Sequence, residues 1–179
     1  MNKPDDTDLI DQCMSGDRHA FEVLLVRYQK TVFNAAYRML NSSEDARDVT
    51  QTVFLKAFEN LDSYDPQYKF FSWIYRIALN ESINCLNKQN RLDVLDQEPA
   101  SQTGGPEEQT GNEQLSEGIQ AALMTLKPEY RTVIILKHFL DCSYLEISQV
   151  LDIPEKKVKS RLYSGRQLLK DALTRSGLH

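Results

Sequence analysis

The sequence predicts an all-α protein that consists of two small helical domains. Apolar residues recur at steps of three and four along most of the chain, while the alternating apolar pattern of strands is scarce. Four of the 7 glycines and two of the 6 prolines fall in one acidic segment, residues 92–118. Because this composition cannot bury enough apolar surface to offset the entropy of an ordered chain, we expect a flexible acidic linker there.

The first domain, residues 1–91, is predicted to contain three amphipathic helices. The first carries an apolar stripe over residues 21–40. The second follows "NSSEDARD", where Ser42 or Ser43 can cap the helix by accepting a hydrogen bond from its first turn. Pro66 separates it from the third helix, because proline lacks an amide hydrogen and biases the preceding residue away from helix.

The second domain, residues 119–179, is predicted to end in a helix-turn-helix. Pro128 suits the first turn of one helix, and Ser143 can cap the short helix over residues 144–151. The three-residue turn "DIP" separates that helix from a longer one over residues 155–173. A short helix, a tight turn and a longer helix form the layout of this DNA-binding motif.

Positive charge is concentrated on the last helix, although the chain carries a formal net charge of −5. Residues 154–175 hold seven basic and two acidic residues. We expect Leu145, Val150 and Ile153 to pack against Val158 and Leu162, which leaves the basic side chains facing outward. The start of the second helix enters the major groove in this motif, where such side chains contact phosphates and base edges. A basic helix face that is merely solvated is the alternative interpretation.

The residues that catalysis or a metal site would need are scattered. No phosphate-binding glycine loop and no nucleophile–base pair is recognisable, so we expect neither an enzyme nor a cofactor. The scattered cysteines and histidines are Cys13, Cys85, Cys142, His19, His138 and His179.

No apolar run approaches the roughly 20 residues that cross a bilayer, and the N-terminus is acidic, so we expect no membrane insertion and a cytoplasmic protein.

Four stretches of the sequence are similar to one protein family, in the family's own order. The stretches "DLIDQCMSGDRHAFEVLLVRYQKTVFNAAYRML", "EDARDVTQTVFLKAF" and "FFSWIYRIALNESINCLNK" resemble region 2 of bacterial extracytoplasmic-function (ECF) sigma factors. The stretch "LKPEYRTVIILKHFLDCSYLEISQVLDIPEKKVKSRLYSGRQLLKDAL" resembles their region 4. The resemblance implies a non-catalytic subunit, monomeric when free, that binds the β′ clamp helices and β flap of core RNA polymerase. It also implies promoter DNA as a ligand and control by an anti-sigma factor.

The resemblance assigns residues to three surfaces. Docking on core polymerase is implied for Asp45, Asp48, Gln51 and Phe54. Contact with the −10 promoter element is implied for Lys56, Tyr64, Lys69, Phe70, Asn80, Asn84 and Lys88. Contact with the −35 element is implied for Lys156, Lys157, Lys159, Ser160, Tyr163 and Arg166.

Two alternatives remain open from the sequence. A stand-alone helix-turn-helix regulator would explain residues 119–179, but it leaves the first domain without a role. Trp73 is either a core residue or an aromatic platform for an unstacked base, and its place in the apolar register favours the core.

Overall fold

The computed structural model describes residues 4–96 and 111–177, and all regular structure in that part of the chain is helical, which confirms the predicted fold class. Only residues 97–110 of the predicted linker lie outside the described part. The helices are α1 (Asp6–Met14), α2 (Arg18–Leu40), α3 (Ser43–Glu59), α4 (Phe70–Asp96), α5 (Gly111–Met124), α6 (Pro128–Ile134), α7 (Tyr144–Leu151) and α8 (Glu155–Arg175). No helix of the described residues is long and apolar enough to cross a membrane.

The helix starts follow local capping signals. Asp17 and Ser42 cap α2 and α3, since their side chains accept hydrogen bonds from backbone amides of the first turn. Helix α1 was not predicted as a separate element, because the break between it and α2 spans only Ser15 to Asp17. Gly16 allows that break with a φ of 100°.

The N-terminal block is a bundle in which α2, α3 and α4 pack against each other, with α1 against α2. A short 3₁₀ turn, Leu61–Ser63, starts the connection between α3 and α4. Trp73 lies half-buried beside that connection, with its ring 5.7 Å from the rings of both Tyr64 and Phe70. Trp73 packs against the apolar cluster, as its register favours, but it is only partly buried and also lines a cavity beside the loop.

The C-terminal block contains the predicted helix-turn-helix. Ser143 and Glu146 cap α7 with a reciprocal pair of hydrogen bonds, and Asp152 closes the helix with a φ of 52°. Helix α6 continues into one π-helical turn, Ile135–Phe139. Gly165 lets α8 approach α6 closely, because a Cβ there would lie 3.3 Å from Cγ1 of Ile134.

One packing prediction for this motif is wrong. Leu145 is 55% exposed, whereas Ile147 and Val150 on α7 are buried together with Val158 and Leu162 on α8. An eight-residue helix has room for two apolar residues facing its partner, and Leu145 lies on another side of it.

The helices on both sides of the linker are longer than predicted. Helix α4 continues past Arg91 to Asp96, and α5 begins at Gly111, so the described helices extend into both ends of the predicted linker. The residues added to α4 include no glycine or proline that would end a helix. The boundary at 119 for the second domain stays a prediction.

The two blocks contact each other directly, through one shared cluster of buried apolar residues and through polar side chains. Arg76 on α4 donates hydrogen bonds to the carbonyl oxygens of Gln149 and Val150 at the end of α7. Lys69 forms an ion pair with Glu146 at 2.7 Å. Helix α7 therefore packs against the N-terminal part of α4.

Candidate DNA and polymerase interfaces

The exposed side of α8 carries all the residues predicted to contact the −35 element. Val158 and Leu162 bury the opposite side of the helix, which fixes how α8 is rotated. Tyr163 is 69% exposed, the largest such fraction among the exposed large apolar side chains of the described residues. The predicted contacts, all exposed, are Lys156, Lys157, Lys159, Ser160, Tyr163 and Arg166.

Positive charge around this face extends beyond α8. The ammonium groups of Lys137 and Lys159 lie 5.3 and 5.6 Å from the centroid of the Tyr144 ring. Arg161 forms an ion pair with Glu129 at 3.4 Å, on the side of α8 that faces α6. Lys137 was not predicted, because it comes from the turn after α6 and no spacing in the sequence connects it with α8.

The guanidinium group of Arg166 forms a hydrogen bond with the imidazole of His138. Its Nε lies 3.2 Å from Nε2 of His138, which belongs to the π-helical turn. Partial burial and the charges of Arg166 and Lys137 lower the pKa of His138. The imidazole is therefore neutral at physiological pH and can accept a hydrogen bond from Arg166.

The predicted −10 residues in and beside the α3–α4 loop differ in exposure. Lys69 is exposed, and Tyr64 is half-buried and donates a hydrogen bond from its hydroxyl to the carbonyl oxygen of Tyr68. Phe70 is only 2% exposed and packs against Tyr28. The structure therefore corrects the assignment of Phe70 to direct DNA contact. Its buried ring instead packs against Tyr64 in the loop.

A cavity of about 260 Å³ opens beside this loop. Its walls include the aromatic side chains of Tyr64, Tyr68 and Trp73, and its far side is closed by Gln149 of the C-terminal block. Ser72 also lines it, and the hydroxyl of Ser72 is buried without a hydrogen-bond partner among the described residues.

The remaining −10 candidates lie along α3 and α4. Asn80, Asn84 and Lys88 are exposed and share one side of α4, because they are spaced four residues apart. Lys56 on α3 is bound to Glu81 at 2.6 Å. In this arrangement Asn80 faces a cleft closed by the C-terminal block.

The predicted polymerase-docking residues on α3 also divide by exposure. Asp48 and Gln51 are exposed, and Asp45 accepts a hydrogen bond from Gln89 at 2.9 Å. Phe54 is 5% exposed and belongs to the core, which corrects its assignment as a contact residue. Leu55, 64% exposed, is the large apolar side chain next to it that a partner can reach. Periodicity did not separate Phe54 from Leu55, since adjacent apolar residues both fit a wide stripe.

Comparison with known proteins matches both blocks to one family. The sigma-70 region 2 family matches residues 24–92, and the sigma-70 region 4 family matches residues 116–169. The chain is 35% identical to the ECF RNA polymerase sigma factor SigW of Bacillus subtilis, over 92% of this chain and 94% of SigW.

Two solved structures share the fold. The structure of CnrH in complex with the cytosolic domain of CnrY aligns with a TM-score of 0.73 at 26% identity, over 93% of this chain and 96% of CnrH. The sigma factor RpoE of Bartonella quintana, in complex with the anti-sigma factor NepR, aligns with a TM-score of 0.75 at 20% identity, over 86% of this chain and 96% of RpoE. With both family regions present in order, the chain belongs to the ECF sigma factors, the non-catalytic subunits that give RNA polymerase its promoter specificity.

Proposed function

We propose that this sigma factor divides promoter recognition between its two blocks. Residues 1–91 bind core polymerase and the −10 element, and residues 119–179 bind the −35 element. The observation that carries the proposal is the exposed basic face of α8, because Val158, Leu162 and Ala172 on its other side are buried where the helix packs against α5, α6 and α7. A helix anchored in this way presents its other side to the major groove.

For the −35 element we assign two kinds of contact. Lys159, Ser160 and Tyr163 lie on the exposed face near the start of α8, from which side chains reach base edges. Lys156, Lys157 and Arg166 bind phosphates and set the register on the duplex. Phosphate contacts make the affinity depend steeply on salt, because each one releases counterions from the DNA.

For the −10 element, the aromatic cavity beside the α3–α4 loop is the assigned site. An unstacked base loses its stacking energy when the duplex opens, and an aromatic wall such as Tyr64 or Trp73 restores part of it. Asn80, Asn84 and Lys88 along α4, with Lys69 just before it and Lys56 on the neighbouring α3, then follow the DNA backbone.

For polymerase docking, Asp45, Asp48 and Gln51 supply the polar contacts and Leu55 supplies the apolar anchor. Exposed apolar side chains ringed by polar ones are the usual composition of an interface centre. We also propose that the protein acts in the cytoplasm, and that an anti-sigma factor holds it inactive. The second proposal is supported by the similar RpoE protein, which was solved with one.

The test is in vitro transcription with purified core polymerase, followed by mapping of the transcript starts. The protein is expected to direct initiation at defined sites that share −35 and −10 sequences. The Tyr163→Ala variant should lose initiation at those sites, while Lys30→Ala on the exposed surface of α2 should not. A stand-alone regulator would instead leave the start sites of core polymerase unchanged.

A further inference from the structure

We propose that His138 is a positioning residue for promoter binding: its neutral imidazole holds Arg166 in place for a DNA phosphate. The inference rests on the proposed role of Arg166 as a phosphate contact and adds a residue outside the helix-turn-helix to that interface. His138 touches the arginine and acts on DNA only through it.

The hydrogen bond determines the tautomer of His138 and which nitrogens of Arg166 can contact a phosphate. Nε of Arg166 lies 3.2 Å from Nε2 of His138, and an arginine Nε always donates, so Nε2 of the histidine accepts. The imidazole is then neutral, with its proton on Nδ1. Both terminal nitrogens of Arg166 remain available for the two-pronged contact that guanidinium groups make with phosphate.

A neutral partner keeps the charge of the arginine available. A carboxylate in the place of His138 would orient Arg166 equally well but would cancel the charge that attracts DNA. Arg166 forms no ion pair with a carboxylate among the residues that the structure describes. The nearby charged side chain that also acts on His138 is Lys137, a second cation, which further favours the neutral ring.

The π-helical turn places His138, which lies 28 residues before Arg166 in the chain, next to α8. Leu140 donates its amide hydrogen to the carbonyl oxygen of Ile135 at 3.1 Å, which widens the end of α6 by one residue. That turn brings His138 beside Arg166 on α8. Because the arginine is already ordered before it meets DNA, binding costs less side-chain entropy than for a free arginine.

The test uses the full chain bound to core polymerase and a labelled duplex that carries a promoter mapped by transcription. The dissociation constant is measured over a series of salt concentrations for Arg166→Ala, His138→Leu, His138→Gln and the double variant Arg166→Ala with His138→Leu. His19→Leu, on the exposed surface of α2, is the matched control, and thermal melting confirms that each variant is folded.

The proposal predicts a specific pattern among these variants. Arg166→Ala should weaken binding and lower the salt slope by about one. His138→Leu should weaken binding about 2- to 10-fold. His138→Gln, whose amide oxygen can accept the same hydrogen bond, should stay near the parent protein. In the Arg166→Ala background, His138→Leu should have no further effect.

The results distinguish a failure of the positioning role of His138 from a failure of the phosphate contact of Arg166. If His138→Leu binds like the parent, or if its effect adds to that of Arg166→Ala, the positioning role is refuted while the phosphate contact stands. If Arg166→Ala itself leaves affinity and salt slope unchanged, both the assigned contact and the inference drawn from it are refuted.

Discussion

Arg131 is a buried cation that donates hydrogen bonds to backbone carbonyl oxygens at the ends of several segments. It is 4% exposed, and its guanidinium donates hydrogen bonds to the carbonyl oxygens of Leu123, Met124, Leu126 and Met39. The first two carbonyls belong to the last turn of α5, where the helix dipole favours a cation. Burial lowers the pKa of Arg131, and the four carbonyl oxygens compensate the loss of water.

Replacing this arginine should therefore destabilise the fold. Arg131→Met keeps the side-chain length but leaves buried carbonyl oxygens without donors, at an expected cost of about 3 kcal/mol. Urea unfolding followed by circular dichroism measures the change, with Lys30→Met as the exposed control. An unfolding midpoint equal to that of the control would contradict the role assigned to Arg131.

The cysteines are expected to differ in reactivity. Burial raises the pKa of the Cys142 thiol to about 12, so it stays protonated and inaccessible in the folded protein. Cys13 and Cys85 are half-buried, and burial raises the pKa of each thiol as well. Mass spectrometry after mild alkylation should find Cys142 unmodified until denaturant is added. Labelling of Cys142 at the rate of the other two would contradict its burial.

At the scale of the element, α3 packs in the core with one side, and we propose that its opposite side binds core polymerase. Phe54→Ala should lower the free energy of unfolding, because it removes a buried ring, by about 3 kcal/mol. Leu55→Ala should leave stability nearly unchanged but weaken the affinity for core polymerase. Pull-down and unfolding curves separate the two effects, and Val26→Ala, an equally exposed apolar site on α2, is the control. Unchanged polymerase affinity in Leu55→Ala would remove Leu55 from the interface.

The sequence was sufficient for the elements whose signals are local. The cap at Ser143, the proline that opens α6 and the turn around Asp152 are confirmed, since each depends on a few adjacent residues. The rotation of short helices was harder to predict. In α7, two turns give too few apolar positions to distinguish Leu145 from Ile147 by spacing.

The contacts between distant segments carried no signal in the sequence. The bond from Arg166 to His138 spans 28 residues, and the bond from Arg76 to Val150 spans 74. Such pairs form only because the helices are brought together by the burial of other residues. For the same reason, the sequence pointed to the residues that the structure exposes on α8 but not to Lys137 beside them.

At the scale of the whole molecule, the packing of the two blocks has a consequence for DNA binding. Lys69 and Asn80, both assigned to the −10 element, face the C-terminal block in this arrangement. Both side chains are still exposed, but Lys69 is paired with Glu146, and Gln149 of the C-terminal block lines the cavity beside the α3–α4 loop. We predict that binding to polymerase and promoter DNA separates these contacts.

Besides Arg131, which bonds to the carbonyl oxygen of Met39, Arg76 joins the two blocks, and its removal should loosen the arrangement. It donates two hydrogen bonds to carbonyl oxygens at the end of α7, whereas the exposed pair of Lys69 with Glu146 contributes little. Arg76→Ala should raise the radius of gyration of the free protein in small-angle X-ray scattering, with Arg47→Ala as the control. The same radius in both variants would mean that other contacts hold the blocks together.

This helical protein recognises promoters as a part of RNA polymerase. The most direct measurement is its affinity for one mapped promoter duplex at fixed salt, with and without core polymerase. Core polymerase holds the two blocks at the spacing of the two promoter elements, so we predict an affinity at least about 10²-fold higher in its presence. Equal affinities with and without core polymerase would contradict the account.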